Sequence, residues 1–201
     1  QVTRVPHLDH RLPINTDIVR WLTYSLSVEE AIAELHAYKP FDILDFPEWG
    51  AEAYVHLLNR TEWNHIPTAI QLHGPLVMFA HTMGWPDINS EFYRTGTAME
   101  ETCLRLADAV YSSSLCSIDW CVNHYGLARE NVPVIYMGVD SDLFRPLDVP
   151  KEPHPTLVFV GRICAEKGTS ILVEAACRLT CDYPELRLLL IGKGDSSYQE
   201  H

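Results

Sequence analysis

The sequence predicts an α/β fold built from parallel sheets with helices on both faces. Short apolar runs of strand length alternate with helical patterns along the whole chain, and this alternation is typical of parallel sheets. The composition, 47% hydrophobic and 21% charged over 201 residues, is ordinary for a globular protein and allows one or two domains. A polar segment rich in proline and charge ends at Pro155 and reads as a linker. We therefore predict two domains, at 1–148 and 149–201.

The first predicted helix runs from about Thr16 to Tyr38. Thr16 or Asp17 suits its N-cap, and Pro40 ends it because the residue before a proline disfavours helix. Residues 1–16 show no periodicity and read as a connecting segment. The apolar residues of the helix recur on one face: Trp21, Val28, Ile32 and Leu35.

The remaining elements are predicted from the spacing of apolar residues and from the Gly, Pro and polar residues that bound them. In the first domain, strands are predicted at 41–46, 65–72, 108–112 and 132–136. Helices are predicted at 51–59, 90–107 and 114–124, and residues 75–90 are predicted to be irregular. In the second domain, strands at 156–160 and 186–191 flank a helix from Gly168 to about Thr180. The residues of that helix expected to face inward are Ile171, Leu172, Ala175 and Leu179.

Polar residues and glycines follow the predicted strands at the point where each strand ends. Ligands bind at the carboxyl ends of strands in open α/β sheets, so these positions are candidates for one cleft between the two domains. They are Glu48, His73, Gly138 with Asp140, Arg162, and Gly192 with Gly194.

The turn after the strand at 156–160 predicts an anion site. Gly161 and the start of the following helix offer backbone N–H groups and the positive end of a helix dipole. Arg162 adds a fork of donors suited to phosphate oxygens, and Lys167 adds a compact positive charge. The plainer alternative is that both are surface charges on a solvated loop. We take a diphosphate site as the working hypothesis.

The other candidates also have plain structural interpretations. A lone histidine such as His73 is commonly a buried, hydrogen-bonded side chain or a cap. Glu48 and Glu52 suit the positive end of a helix. Gly138 suits a special backbone conformation whatever the function.

Composition excludes several classes of function. The net charge of −12 argues against broad binding of nucleic acid or anionic membranes, which requires a positive field. Six scattered cysteines without a CxxC pair favour neither disulfides nor a zinc site, and they fit a reducing, cytoplasmic setting. No apolar run approaches the ~18 residues that span a bilayer, and no signal peptide opens the chain.

Several stretches, in this order, resemble the group-1 (GT4-type) glycosyltransferases. Pro47-Glu48-Trp49-Gly50 and Leu72-His73-Gly74 resemble the amino-terminal domain of that family. Three further stretches extend the likeness over nearly the whole chain: Gly138-Val139-Asp140 with Phe144-Arg145-Pro146, Gly161-Arg162 with Glu166-Lys167-Gly168, and Ile191-Gly192-Lys193-Gly194.

The resemblance implies the GT-B architecture, in which two Rossmann-like domains enclose a donor–acceptor cleft. It implies retaining transfer of a sugar from a nucleotide-sugar to an acceptor, usually without a bound metal. The acceptor class is open between a glycan, a lipid and a small molecule, and the enzyme is expected in the cytoplasm or peripherally at the membrane.

The resemblance also implies roles for individual residues. Arg162, Lys167 and Gly161 would hold the donor diphosphate, and His73 would lie near the reacting sugar as the catalytic candidate. Gly138, Asp140, Gly192 and Gly194 would line the nucleotide side of the cleft, and Glu48 and Glu52 the acceptor side.

The chain departs from the family pattern in three places. The family's glycine-rich loop would precede residue 1, and its paired-glutamate motif would follow residue 201. Met137 stands where many members have Asn before Gly-Val-Asp. The chain is therefore expected to be an internal fragment of a longer enzyme, with both sheets incomplete and no activity alone. A nucleotide-sugar epimerase and a non-catalytic nucleotide-sugar-binding protein are the alternatives; a dehydrogenase is disfavoured because no G-x-G-x-x-G occurs.

Overall fold

The computed structural model describes residues 2, 4 and 16–194. The predicted connecting segment at 1–16 lies almost entirely outside these residues. The chain divides into two compact units, Gln1–Gly138 and Val139–His201, and residues 139–155 contain no helix or strand. Residues 139–148 thus group with the second unit, whereas the sequence assigned them to the first domain.

Helix α1 spans Asp17–Tyr38, as the sequence predicted. The Thr16 hydroxyl accepts a hydrogen bond from the Val19 amide at 3.3 Å and so caps the helix. At the other end, the Lys39 amide donates to the Leu35 carbonyl before the chain turns at Pro40.

The sheet of the first unit has three parallel strands in the order β1-β2-β3. They are β1 Leu44–Pro47, β2 Thr68–Leu72 and β3 Ala109–Ser112. The strand predicted at 132–136 is reduced to one bridge, between Val134 and Ser112. Since β3 itself ends at Ser112, no strand among the described residues is available beyond Ile135 to continue the ladder.

Four more α-helices lie among the described residues of the first unit. They are α2 Tyr54–Asn59, α3 Leu76–Met83, α4 Glu91–Leu106 and α5 Leu115–Tyr125. Ser90 and Ser114 cap α4 and α5 through their hydroxyls, and Gly126, in the left-handed conformation, ends α5. A short 3₁₀ turn, Trp49–Ala51, lies between β1 and α2.

Helix α3 shows that the irregular conformation predicted for 75–90 is wrong. Pro75 occupies the N-cap, where its missing N–H costs nothing, and three residues of the helix are buried: Leu76, Val77 and Ala80. An eight-residue helix is too short for its period to stand out in the sequence, and the following Gly84 and Pro86 obscure it further.

The hydrophobic core lies between the sheet and these helices. Ile70 and Leu72 of β2 and Ile118 of α5 have no exposed surface. Gly96 lets α4 approach closely, because a Cβ atom there would lie 2.6 Å from Leu76 Cδ2 and 3.2 Å from a ring carbon of Trp21. Gly96, Met99 and Cys103 are buried together on one face of α4, so this face is a packing surface.

The second unit pairs β4, Thr156–Val160, in parallel with β5, Arg187–Ile191. A 3₁₀ turn, Ala165–Lys167, precedes α6, Thr169–Leu179. Leu172 is half-buried as predicted, but the inward placement of Ile171, Ala175 and Leu179 is wrong: all three are exposed, Ile171 by 72%. The buried residues of α6 are instead Thr169 and Ala176.

Two bulk properties complete the description. Across the described residues, no helix combines the length and the apolar character that a membrane crossing requires. The six cysteines are free thiols, and three of them are buried: Cys103, Cys121 and Cys164.

Candidate functional site

The first candidate site is the turn between β2 and α3. His73 follows the carboxyl end of β2 and exposes its side chain, while Gly74 is buried. A Cβ atom on Gly74 would lie 2.6 Å from a ring carbon of Phe79, so the turn packs directly against that ring. The structure therefore places His73 at an open strand end, as predicted, and excludes its interpretation as a buried histidine.

The buried Glu48 side chain fixes the backbone of this turn. Glu48 follows β1, has no exposed surface, and accepts hydrogen bonds from the His73 amide at 2.8 Å and from the Gly74 amide. Burial raises the pKa of the Glu48 carboxyl above its ordinary value, although the amides of His73 and Gly74 act in the opposite direction. Glu48 thus acts through the backbone of the turn; its predicted acceptor contact stays a prediction.

A second buried carboxylate, Glu100 of α4, holds the next amide. It accepts hydrogen bonds from the Leu76 amide and from the Tyr125 hydroxyl, both at 2.9 Å. Burial raises the pKa of Glu100 to about 8, and the nearby charge of Glu48 adds to the effect. Among the described residues, its other oxygen, Oε1, has no hydrogen-bond partner.

The two carboxylates together bind every backbone N–H of the turn. Pro75 has none, so the three donors between 73 and 76 belong to His73, Gly74 and Leu76. The sequence analysis missed Glu100, although a signal was present. Its spacing from Gly96 and Cys103 puts it on the buried face of α4, where a carboxylate requires partners.

A small aromatic pocket lies beside His73. Its volume is about 200 Å³, and it is lined by Trp49, His73, Gly74 and Phe79. The ring of Trp49 meets that of Phe79 edge-on, with centroids 5.2 Å apart, and Trp85 lies 6.2 Å from Trp49. The four lining residues Trp49, His73, Gly74 and Phe79 form the aromatic pocket, and Trp85 lies at its edge.

Glu52 contacts residues of helix α1. Its carbonyl accepts from the Ser25 hydroxyl at 2.8 Å, and its carboxylate is near Tyr24 of α1. Burial raises the pKa of the Tyr24 hydroxyl, and the charge of Glu52 raises it further. An acceptor-side role of Glu52 stays a prediction.

The second candidate site is formed where β4 and β5 end. The Gly161 amide donates to the Ile191 carbonyl and the Ile163 amide donates to the Lys193 carbonyl, both at 3.0 Å. The two turns are so close that a Cβ atom on Gly192 would lie 1.7 Å from the Gly161 carbonyl oxygen. Only glycine fits at position 192, because the backbone of Gly161 occupies the space of a side chain. The Gly161 amide already donates to the Ile191 carbonyl.

Arg162 and Lys193 line one cavity at these strand ends. The cavity has a volume of about 230 Å³, and Cys164 and Gly194 complete its lining. Each cation follows its strand by two residues, and Val160 pairs with Ile191, so the register brings them side by side. In the sequence, Lys193 stands only within the stretch Ile191-Gly192-Lys193-Gly194, and its place beside Arg162 depends on strand pairing that the sequence does not show.

The two cations predicted for the diphosphate differ in their surroundings. The Arg162 guanidinium is exposed and lies 3.4 Å from the Glu166 carboxylate, a weak exposed pair that a ligand can displace. Lys167 is exposed at the end of the 3₁₀ turn, just before Gly168 begins α6. Arg162 thus lines the cavity, whereas Lys167 lies on the 3₁₀ turn that follows Arg162 in the chain.

The remaining candidates lie where the two units divide. The Asp140 carboxylate accepts from the amides of Asp142 at 3.0 Å and Leu143 at 3.2 Å, so it stabilises its own turn. A Cβ atom on Gly138 would meet nothing within 4 Å. Within residues 2, 4 and 16–194, no three His, Cys, Asp or Glu side chains are grouped to hold a metal ion.

The profile of Glycosyltransferase Family 4 matches residues 2–143, which include the His73 turn and both buried carboxylates. Three curated relatives carry the name D-inositol 3-phosphate glycosyltransferase. That of Streptosporangium roseum is 32% identical over 101 residues, covering 46% of this chain and 23% of the relative. That of Catenulispora acidiphila, numbered 1, is 31% identical over 119 residues, covering 52% and 28%. That of Kribbella flavida is 28% identical over 184 residues, covering 86% and 42%.

In each of these three, the matched part is less than half of the relative's length. The family match itself covers well over half of this chain. The chain therefore belongs to glycosyltransferase family 4.

Proposed function

We propose that the complete protein transfers a sugar from a nucleotide-diphosphate sugar to an acceptor, with retention of the anomeric configuration. Family membership supports glycosyl transfer. The single observation that carries the donor half is the pairing of Arg162 and Lys193 around one cavity of a protein whose net charge is −12. Such a local concentration of positive charge suits a diphosphate.

The chemistry explains why fixed cations belong at this position. The leaving nucleoside diphosphate gains negative charge as the glycosidic bond breaks, and groups placed to meet that charge lower the barrier. Arg162 offers a planar fork of donors and Lys193 a compact ammonium on the facing turn. Lys167 is the third cation proposed for the diphosphate, and no bound metal is proposed.

On the acceptor side, His73 is the proposed catalytic contact with the reacting sugar. Its ring is exposed while its backbone is held, through the amide by Glu48 and through the carbonyl by the Ser117 hydroxyl at 3.5 Å. A side chain on a fixed turn keeps its position when substrate arrives, which favours reaction. Nucleotide-side roles for Gly138, Asp140, Gly192 and Gly194, and a cytoplasmic location, belong to the same proposal.

The donor half is tested by removing one cation at a time from the complete protein. Arg162→Ala and Lys193→Ala should each lower the rate of sugar transfer by about 10²–10³-fold, the loss typical of one donor to a developing anion. The measurement is product formation with a panel of nucleotide-sugars. Arg178→Ala is the matched control, because Arg178 is also exposed and also paired with a glutamate four residues away, Glu174.

Equal rates for the Arg162 and Arg178 variants would contradict the diphosphate assignment. Analysis of the product separates the remaining possibilities. Interconversion of nucleotide-sugars without transfer would indicate an epimerase, and tight binding without turnover would indicate a binding protein. Nuclear magnetic resonance of the new glycosidic bond tests retention.

A further inference from the structure

We propose that the aromatic pocket beside His73 takes the acceptor, and that the part it takes is an uncharged sugar ring. This inference rests on the proposed function and names the acceptor class for the same site. The aromatic pocket lies at the carboxyl end of β2, next to the exposed His73 side chain. A group bound there is therefore within reach of the proposed catalytic contact.

The first argument is that this turn is closed to anions. A strand that leads into a helix N-terminus normally offers free N–H groups to a phosphate. Here the amides of His73 and Gly74 already donate to the buried Glu48 side chain, and the Leu76 amide donates to the buried carboxyl group of Glu100. A phosphate would find these donors occupied and would face the negative charge of Glu48, so the site disfavours a phosphorylated acceptor.

The second argument is the chemistry of the lining. Trp49 and Phe79 supply aromatic surface, His73 supplies the polar group, and no lysine or arginine among the described residues lines the pocket. The face of an indole or phenyl ring carries partial negative charge and attracts C–H groups, which a sugar ring presents on one side. Its hydroxyl groups remain free to reach His73.

The third argument is size. A pocket of about 200 Å³ is smaller than the roughly 300–1,000 Å³ that drug-sized ligands occupy. It suits a single ring rather than a long acyl chain. Trp85, 52% exposed and 6.2 Å from Trp49, extends the aromatic surface at the edge of the pocket.

The test compares neutral acceptors with phosphorylated acceptors of the same ring type, using the complete protein and its best nucleotide-sugar. The probes are methyl α-glucopyranoside, methyl α-mannopyranoside and myo-inositol against glucose 6-phosphate, mannose 6-phosphate and D-inositol 3-phosphate. At least one neutral probe should be glycosylated with a kcat/KM roughly tenfold or more above that of its phosphorylated counterpart, because burying an uncompensated charge is unfavourable.

Two variants connect this preference to the pocket. Trp49→Leu and Phe79→Leu should each raise the KM for the neutral acceptor by roughly tenfold, the upper range for one aromatic contact, and affect kcat less. Trp63→Leu is the matched control, because Trp63 is 90% exposed and lies outside the pocket. Thermal melting of each variant separates lost binding from lost folding, and the more exposed Trp85→Leu gives a second reading.

Each outcome decides between the two proposals. Transfer to phosphorylated acceptors alone would overturn this inference and leave the proposed glycosyltransferase intact. Unchanged acceptor KM in folded Trp49 and Phe79 variants would also overturn it. No consumption of any nucleotide-sugar, with or without acceptor, would overturn the proposed function and this inference with it.

Discussion

Replacing Glu100 with glutamine should change how the stability of the first unit depends on pH. Glu100 is fully buried, and its pKa of about 8 compares with an ordinary value of 4.5. Between these two values the folded protein keeps the carboxyl proton while the unfolded chain releases it. The unfolded state then binds fewer protons, so the free energy of unfolding falls as pH rises. Glutamine is neutral throughout and removes this contribution.

The size of the effect follows from the window. A full proton difference changes the free energy of unfolding by about 1.4 kcal/mol per pH unit. From pH 5 to pH 8, Glu100 therefore costs the wild-type protein up to about 4 kcal/mol relative to Glu100→Gln. Glu100→Gln should be close to wild type or less stable at pH 5, where the glutamine must still accept from the Leu76 amide and the Tyr125 hydroxyl, and more stable at pH 8.

Urea unfolding followed by tryptophan fluorescence measures this directly. All five tryptophans precede residue 121, so the signal reports the first unit alone. The matched control is Glu101→Gln, the adjacent exposed glutamate of α4, which pairs with Arg105 and carries the same charge change. If the wild-type and Glu100→Gln free energies stay parallel between pH 5 and pH 8, the burial argument for Glu100 is wrong.

Two further substitutions test the turns. Gly192→Ala should destabilise the second unit and abolish nucleoside diphosphate binding, because the new Cβ would lie 1.7 Å from a carbonyl oxygen. Thermal melting measures the stability and calorimetric titration measures the binding. Gly194→Ala is the control and should fold normally, because a Cβ atom there meets nothing within 4 Å. Glu48→Ala should lower the free energy of unfolding by about 2–6 kcal/mol, since it removes the hydrogen-bond acceptor of two backbone amides, those of His73 and Gly74, at about 1–3 kcal/mol each. It should also reduce kcat, whereas the exposed Glu62→Ala should do neither; a stable, fully active Glu48 variant would contradict the positioning role.

The elements with strong local signals agreed with the sequence prediction. Thr16 caps α1 as predicted, because a capping hydroxyl acts within three residues of itself, and α4 and α5 begin within one residue of their predicted starts at 90 and 114. Gly126 ends α5 for an equally local reason, its left-handed backbone.

The errors arose where local signals were short or where packing decided. Helix α3 spans only about two turns between Pro75 and Gly84. The proline and glycine signals for a loop were therefore stronger than the helical spacing of its apolar residues. The strand predicted around Val134 has the right composition, but β3 ends too early to pair with it. The inward face predicted for α6 depended on a surface wider than two strands provide, which is why Ile171 is exposed.

The sequence by itself determined most of the strands and helices, the family resemblance, and the positions of His73 and Arg162 at strand ends. These follow from period, spacing and motif, all of which are local in the chain. The tertiary structure alone decided what surrounds them. Glu48 reaches an amide 25 residues away and Glu100 one 24 residues away, while strand register places Lys193 beside Arg162. Such contacts depend on how elements pack, and the same local patterns are compatible with many packings.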